Sequence, residues 1–366
     1  MTTCLTEGWA NPSSTHRPGS AARRSVDNAR AAVASLIGCR PRDLVFTSGG
    51  TESANLAIRG SLDAQPKRRH LATSRLEHSV MRDTPEQLAK EGVHTHWLEH
   101  TADGLIDLDA LEDLLKREAD NLALVSVMWV NNETGVEQPI NAIGAMCREH
   151  GVRFFTDAVQ AVGRIPVDVA SMNVDMLGFS SHKFHGPKGV GGLYVAPGVS
   201  LEPQQTGGGQ ERGRRGGTEN VPGLVGIGVA SEEAAAWLAE SHQDASGLRE
   251  AFEATILEQL PGSVVNAAGA PRAWTTSNIG FPSLEAEGLL MVLSERGVCA
   301  SGGSACASGS LEPSPVLLAM GIPDPVVQGS LRFSFSRFTT PEEIEESIGI
   351  IVETVQRLGR SMPSVD

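Results

Sequence analysis

Five short apolar runs, Leu44–Thr47, Leu122–Val130, Val152–Thr156, Val174–Phe179 and Val190–Val195, each stop at a polar or glycine-rich turn. They are close to continuously apolar rather than alternating, the pattern of strands covered on both faces. Helical patterns lie between several of them. Val26, Ala29, Val33, Leu36 and Ile37 share one face of a helix over Ser25–Ile37, with Gly38 as its stop, and Ile140–His150 is closed in the same way by Gly151. This alternation predicts an α/β class, with a mostly parallel sheet and helices on its faces. It also says where chemistry should be sought, because ligands of such sheets collect beyond the carboxyl ends of the strands.

Past residue 240 the pattern changes to longer amphipathic stretches, Leu248–Leu260, Leu284–Arg296 and Pro341–Leu358, around strand-like pieces such as Ser330–Ser336. A chain of 366 residues exceeds what one core usually holds. The expected division is a large domain over 1–240 and a smaller α+β C-terminal domain over 241–366. A net charge of −14 repels nucleic acid and anionic membranes. No apolar stretch approaches the roughly 20 residues of a membrane span. A cytoplasmic protein with no membrane or direct nucleic-acid partner is therefore expected. The five cysteines include no CxxC pair, which argues against a disulfide framework and a structural zinc site. Cys147 and Cys299 read as small buried hydrophobes. Cys306, in VCASGGSACASGS, reads as an accessible thiol in a loop of small residues.

The polar residues just after the apolar runs are the candidates for chemistry. Ser48, Gly49, Gly50 and Thr51 lie between a strand and a helix, where free N–H groups can hold a phosphate. His78 follows HLATS and could stack on a flat cofactor or shuttle protons. Asp157 closes VRFFTD, with Gln160 three residues on; a carboxylate there can keep a pyridine nitrogen protonated. In FSSHKFHGPKG an amine could act as a covalent anchor, and spacing does not choose between Lys183 and Lys188. Arg332 falls on the face of its strand opposite Leu331, Phe333 and Phe335 and could clamp a carboxylate. His94, His96 and His100 in HTHWLEH have no acidic or cysteine partner to complete a ligand set, so they read as a solvated face and no metal is expected. Gly207–Gly217 and Ser301–Ser310 read as mobile functional loops. GLVGIG at Gly223–Gly228 lacks the strand-to-helix setting and spacing of a dinucleotide fingerprint.

Taken together, ANPSSTH, FTSGGTES, VNNETG, TDAVQAVG, SSHKFHGPKG, GGGQERGRRGGTEN, SGGSACASGSLEPS and RFSFSRFTT resemble the NifS/IscS-type cysteine desulfurases of the class V aminotransferase superfamily. The likeness runs in order along nearly the whole chain. It implies a transferase of fold type I that uses pyridoxal 5′-phosphate (PLP), with Lys183 as the Schiff-base lysine. Asp157 would pair with the pyridine nitrogen, Gln160 with the ring hydroxyl, and His78 would stack on the ring. Gly50, Thr51, Ser180 and His182 would hold the phosphate, with Thr218 reaching it from the second subunit of a homodimer. Asn132 and Arg332 would bind the carboxylate of L-cysteine. Cys306 would take the sulfur as a persulfide, leaving alanine, and pass it to an acceptor protein such as an iron–sulfur scaffold or a thiolation protein. Family members carry a further strand about twenty residues before the Asn-Pro-Ser-Ser segment, whereas Met1 stands ten residues before Asn11. The expectation is slower cysteine turnover with normal PLP binding. The rival readings are a PLP-dependent C–S or selenocysteine lyase and a non-catalytic docking scaffold.

Overall fold

The computed structural model describes residues 1–240, 242–303 and 313–361. Seven strands form the first sheet: β1 Leu44–Thr47, β2 His70–Thr73, β3 His94–Trp97, β4 Leu122–Ser126, β5 Phe154–Asp157, β6 Met176–Ser180 and β7 Gly191–Val195. Their order is β1-β7-β6-β5-β4-β2-β3. Neighbours from β6 through β3 pair in parallel, while β7 is antiparallel to both β1 and β6. Every strand except β7 therefore points its carboxyl end at the same edge. The residues of β1, β4, β5, β6 and β7 are all buried, which is why they stand out as apolar runs. β3 is different. It is the edge strand, its residues are exposed or half-buried, and its HTHW sequence has no apolar run to betray it.

The first long helix spans Arg17–Leu36, eight residues longer at its start than its apolar spacing predicts. Its N-terminus is set by His16, whose Nδ1 accepts from the Gly19 N–H at 3.1 Å, and by Pro18 in the first turn. Gly38 ends it in the left-handed region at φ 68°. This helix lies against Val221–Glu240 so closely that a Cβ on Gly228 would meet Ala29 Cα at 2.9 Å. The GLVGIG glycines thus serve helix packing.

The second sheet is antiparallel, with β8 Val264–Val265, β9 Thr276–Gly280, β10 Ser301–Gly302 and β11 Ser330–Ser334 in the order β10-β11-β9-β8. Helices His242–Gln259, Ala286–Glu295 and Pro341–Ser361 accompany it. One buried cluster runs from Val26, Phe154 and Phe184 through Trp274 to Phe252, Phe333 and Ile351, so the two sheets share a core. Polar links join them at the same seam: Ala273 N–H to Gly135 O at 2.8 Å, and Trp274 Nε1–H to Arg164 O at 3.0 Å.

Two thiol expectations divide here. Cys147 is buried, and burial pushes its thiol up to about 12, so it is inert as a nucleophile. Cys299 is exposed, contrary to the reading of VCA as an interior run. The chain turns at Gly297 (φ 90°) and packs Val298 inward, which leaves the next side chain on the outside. The segment Gly207–Gly217 is likewise better anchored than its glycines suggest. Glu211 turns inward, pairs with both terminal nitrogens of Arg30, and accepts from the Phe46 N–H at 3.0 Å.

Candidate active site

Because six strands end on one edge, the loops after β1, β2, β4, β5 and β6 converge. Each delivers one part of a single site.

After β1, Gly49 takes φ 149°, and the Gly50 N–H donates to Ser180 Oγ at 2.7 Å, tying this loop to the end of β6. A Cβ on Gly50 would meet Val159 Cγ2 at 2.5 Å, so only glycine fits. Gly50 and Thr51 are the first residues of helix Gly50–Asp63, whose free N–H groups and dipole favour an anion. The nearby carboxylate of Glu52 is neutralised by Arg215 at 2.8 Å and by the Ser48 N–H at 2.8 Å.

After β2, His78 caps helix Ser79–Ala89, its Nδ1 accepting from the Val80 N–H at 3.2 Å. That bond places the ring proton on Nε2 when His78 is neutral. Burial lowers its pKa from the ordinary value and outweighs the opposing pull of Asp157, with Arg82 and Lys183 also pushing it down. The unfolded chain therefore takes up a proton near pH 6.5 that the folded site refuses until lower pH. Stability from this group is present above about pH 6.5 and falls as pH drops below it. His78→Gln should flatten the acid-side decline of the melting temperature between about pH 7 and pH 5.5 in thermal melts; a slope identical to wild type would show that His78 titrates normally.

At the end of β5, Asp157 is buried, with its Oδ1 accepting from the Val159 N–H at 2.9 Å. Burial pushes its carboxyl upward, while that N–H, His78 and Lys183 act to hold it down. A cationic ring N–H placed against it would favour the ionised form. Behind it lies Glu77, fully buried and pushed well above the carboxylate range by burial, with Oε1 accepting from the Met128 N–H at 2.6 Å.

β6 ends at Ser180 and runs into the tight turn Ser181–Phe184. Lys183, in that turn, is half-buried and lies within electrostatic reach of both His78 and Asp157. Lys188 is exposed, beyond a left-handed turn at His185 (φ 70°). Position thus separates two lysines that spacing could not. Arg164 binds the neighbours together: its Nε–H donates to Lys183 O at 2.8 Å and its Nη1 to Gln160 Oε1. Burial, with Arg332 nearby, pushes Arg164 down to about 10. His182, in the same turn, is exposed.

The loop after β4 supplies Asn132, whose carbonyl accepts from Arg332 Nη1 at 2.9 Å. Its Oδ1 is buried without a hydrogen-bond partner among the described residues. Asn131 shapes this loop by accepting from the Glu133 and Thr134 N–H groups, both at 2.9 Å. Glu133 in turn accepts from Ser314 Oγ at 2.5 Å. Cys306 lies outside the described residues. Its flanks do not: Ser301 faces Arg332 across β10 and β11, and a Cβ on Gly303 would meet Glu133 Oε2 at 3.2 Å. Thr218 is exposed, between Gly217 and Glu219, which line a small cleft with Ser48 and Gly189. A separate cleft of about 730 Å³ runs beside the same segment, lined by Arg23, Arg30, Glu211 and Arg214 among others, and does not include Lys183.

The structure adds residues that the sequence reading did not single out. Arg164 stands four residues after Gln160, one helical turn away, which was the available signal. The Ser181 and Thr156 hydroxyls are buried at the same edge with no hydrogen-bond partner among the described residues. They sat in motifs whose neighbours looked more reactive.

The aminotransferase class-V family model matches residues 1–346. A cysteine desulfurase of Nostoc sp. is 45% identical over 359 residues, spanning 98% of this chain and 89% of the relative. The chain belongs to the NifS/IscS cysteine desulfurases of the class-V aminotransferase family. Among solved structures, a NifS-like protein superposes with a TM-score of 0.89 at 32% identity, covering 97% of this chain and 94% of its own. SspA in complex with cysteine gives a TM-score of 0.79 at 34% identity, covering 92% and 94%. Cysteine desulfurases are PLP enzymes, and the edge described here fits that cofactor on its own features. It offers a glycine-only cradle at a helix N-terminus, a buried carboxyl pushed up by burial, and hydroxyls buried without hydrogen-bond partners among the described residues. No described helix is long and apolar enough to cross a membrane.

Proposed function

We propose that this chain converts L-cysteine to L-alanine with Lys183 as the covalent lysine and Cys306 as the sulfur acceptor, and that it works as a homodimer in the cytoplasm. The observation that carries this reading is the placement of Lys183 within electrostatic reach of Asp157 and His78 at the common strand edge. When bound, PLP supplies an electron sink for cleavage next to the substrate's α-carbon. Gly50, Thr51, Ser180 and His182 would hold its phosphate, Asp157 its ring nitrogen and Gln160 its hydroxyl, with the neutral His78 ring beside it.

The protein's own work is positioning and proton movement. Arg332, steadied on Asn132 O, grips the substrate carboxylate with two parallel N–H bonds, and Asn132 adds its amide. Lys183 Nζ takes the α-proton and is kept in place by Arg164 through its carbonyl. The Cys306 thiolate attacks the substrate sulfur, so an S–S bond forms as the C–S bond breaks, and the carbon fragment leaves protonated as alanine. The sulfur then remains as a persulfide for an acceptor protein. Support for Cys306 comes from its flanks, which spring from the strand facing Arg332 and from the Glu133–Ser314 contact. Supplying L-cysteine should yield one alanine per sulfur transferred; pyruvate and free sulfide as the only products would favour lyase chemistry.

The exposed Thr218 sits on a segment pinned by Glu211, ready to meet a neighbouring subunit's phosphate site. Light scattering should give twice the chain mass of 38.6 kDa. A stable, PLP-replete monomer would contradict the shared site.

A further inference from the structure

At the opposite end of the sheet from the cofactor edge, three side chains from separate elements aim metal-ligating atoms at one another. His70 opens β2 and His94 opens β3, paired across the parallel register, and His96 lies two residues further along the edge strand, on the same face as His94. Glu118 is the last residue of helix Leu108–Glu118. His70 Nδ1 is 3.1 Å from Glu118 Oε2 and 3.1 Å from His96 Nε2, and the three ligand atoms all lie within 4.8 Å of one another. Adjacent ligands of a tetrahedral zinc ion bonded at about 2.0–2.1 Å stand about 3.3 Å apart, close to both measured edges.

Sequence reading looked for partners only within HTHWLEH. There it considered His94, His96 and His100 and found no partner to complete a set; His100 in fact turns to its own neighbour Thr101 O at 3.0 Å. The partners come from 26 residues upstream and 22 downstream, brought together only by the parallel β2–β3 pairing and the helix that follows.

We infer that His70, His96 and Glu118 form a binding site for a divalent transition-metal ion, with zinc as the fitting ion and a fourth position open to water. The metal-free arrangement is electrostatically awkward. His70 Nδ1 cannot serve both neighbours: protonated, it donates to only one of Glu118 and His96, and unprotonated, it accepts from His96 Nε2–H while its lone pair faces the Glu118 carboxylate. A cation at their common focus satisfies all three. Two imidazoles and one carboxylate are an ordinary donor set for zinc, and nitrogen ligands disfavour magnesium and calcium. Asn121 Nδ2 donates to the same oxygen, Glu118 Oε2, at 3.0 Å and fixes the position of the carboxylate. A carboxylate at a helix C-terminus opposes the helix dipole, so its presence there wants a positive partner. The ion would tie the edge strand β3 to β2 and to helix Leu108–Glu118, about 10 Å of strand away from the cofactor edge.

The test uses PLP-loaded protein whose accessible thiols, Cys299 included, have been alkylated so that they cannot hold zinc. Equilibrium dialysis followed by metal analysis should find one zinc per chain. His96→Gln and Glu118→Gln should each weaken binding by at least about tenfold, while His100→Gln should not. Zinc should raise the melting temperature of the wild type and leave that of His96→Gln unchanged, with PLP absorbance constant throughout. Should either variant fold poorly, copper(II) loaded on the wild type should show nitrogen coupling from two imidazoles in its electron paramagnetic resonance spectrum. No bound zinc, zinc retained unchanged by both variants, or copper without imidazole coupling would each overturn the proposal.

Discussion

Lys183→Ala protein should purify without covalently held PLP, whereas Lys188→Ala should keep it. Lys183 lies in the turn after β6, in electrostatic reach of Asp157 and His78, while Lys188 stands exposed past the left-handed turn at His185. Losing Lys183 removes both the anchoring amine and the base for the α-proton. General base catalysis alone contributes about 10²–10⁴-fold, so alanine formation should fall by about 10⁴-fold or more. Phosphate and ring contacts do not depend on the amine, so the variant should still bind PLP reversibly. Borohydride reduction followed by peptide mapping is the deciding measurement. An adduct on the Lys188 peptide of the wild type would sink the assignment of Lys183.

Cys306→Ser should abolish sulfur transfer while leaving cofactor and cysteine binding intact. The change alters the volume and polarity of a Gly/Ser segment very little. What it removes is chemical: a thiol of ordinary pKa of about 8.5 is a few per cent thiolate at neutral pH, whereas a serine hydroxyl is almost wholly protonated and cannot store a persulfide. Cys147 cannot substitute, since burial pushes its thiol up to about 12. Cys299 is the instructive rival, because it is exposed and only seven residues away in sequence. With L-cysteine, a sulfur-sized mass increase should appear on the Cys306 peptide of the wild type and nowhere in the variant. Alanine formed at the wild-type rate by Cys306→Ser, or a persulfide confined to Cys299, would defeat this mechanism.

How far the sequence foretold this molecule depended on burial. Strands covered on both faces must be apolar throughout, so β1, β4, β5, β6 and β7 could be read within a few residues of their ends. β3 could not, because an edge strand with half-exposed histidines carries no such run. The same limit applied to the site. Gly50, Asp157 and the Lys183/Lys188 pair stand out because they lie at or just after the ends of legible strands. Arg164 matters through what it touches, and touching is set by tertiary structure. Cys299 was misread for a local reason, since one turn at Gly297 reversed which side of the chain faces inward. The His70, His96 and Glu118 grouping was out of reach altogether, as its members come from three elements with no common motif.

β7 runs against every other strand of its sheet and enters between β1 and β6 through Gly191 and Gly192. A side chain at Gly191 would press on the Phe179 carbonyl and stand 2.6 Å from Gly49 Cα. An alanine there would touch neither cofactor nor substrate. It would nevertheless wedge apart the backbone on either side of the phosphate cradle, so in a growth screen it would behave as a vitamin-dependent allele, partly relieved by a richer supply of PLP. Harmful natural variants of this enzyme should therefore include changes inside a strand that looks purely architectural.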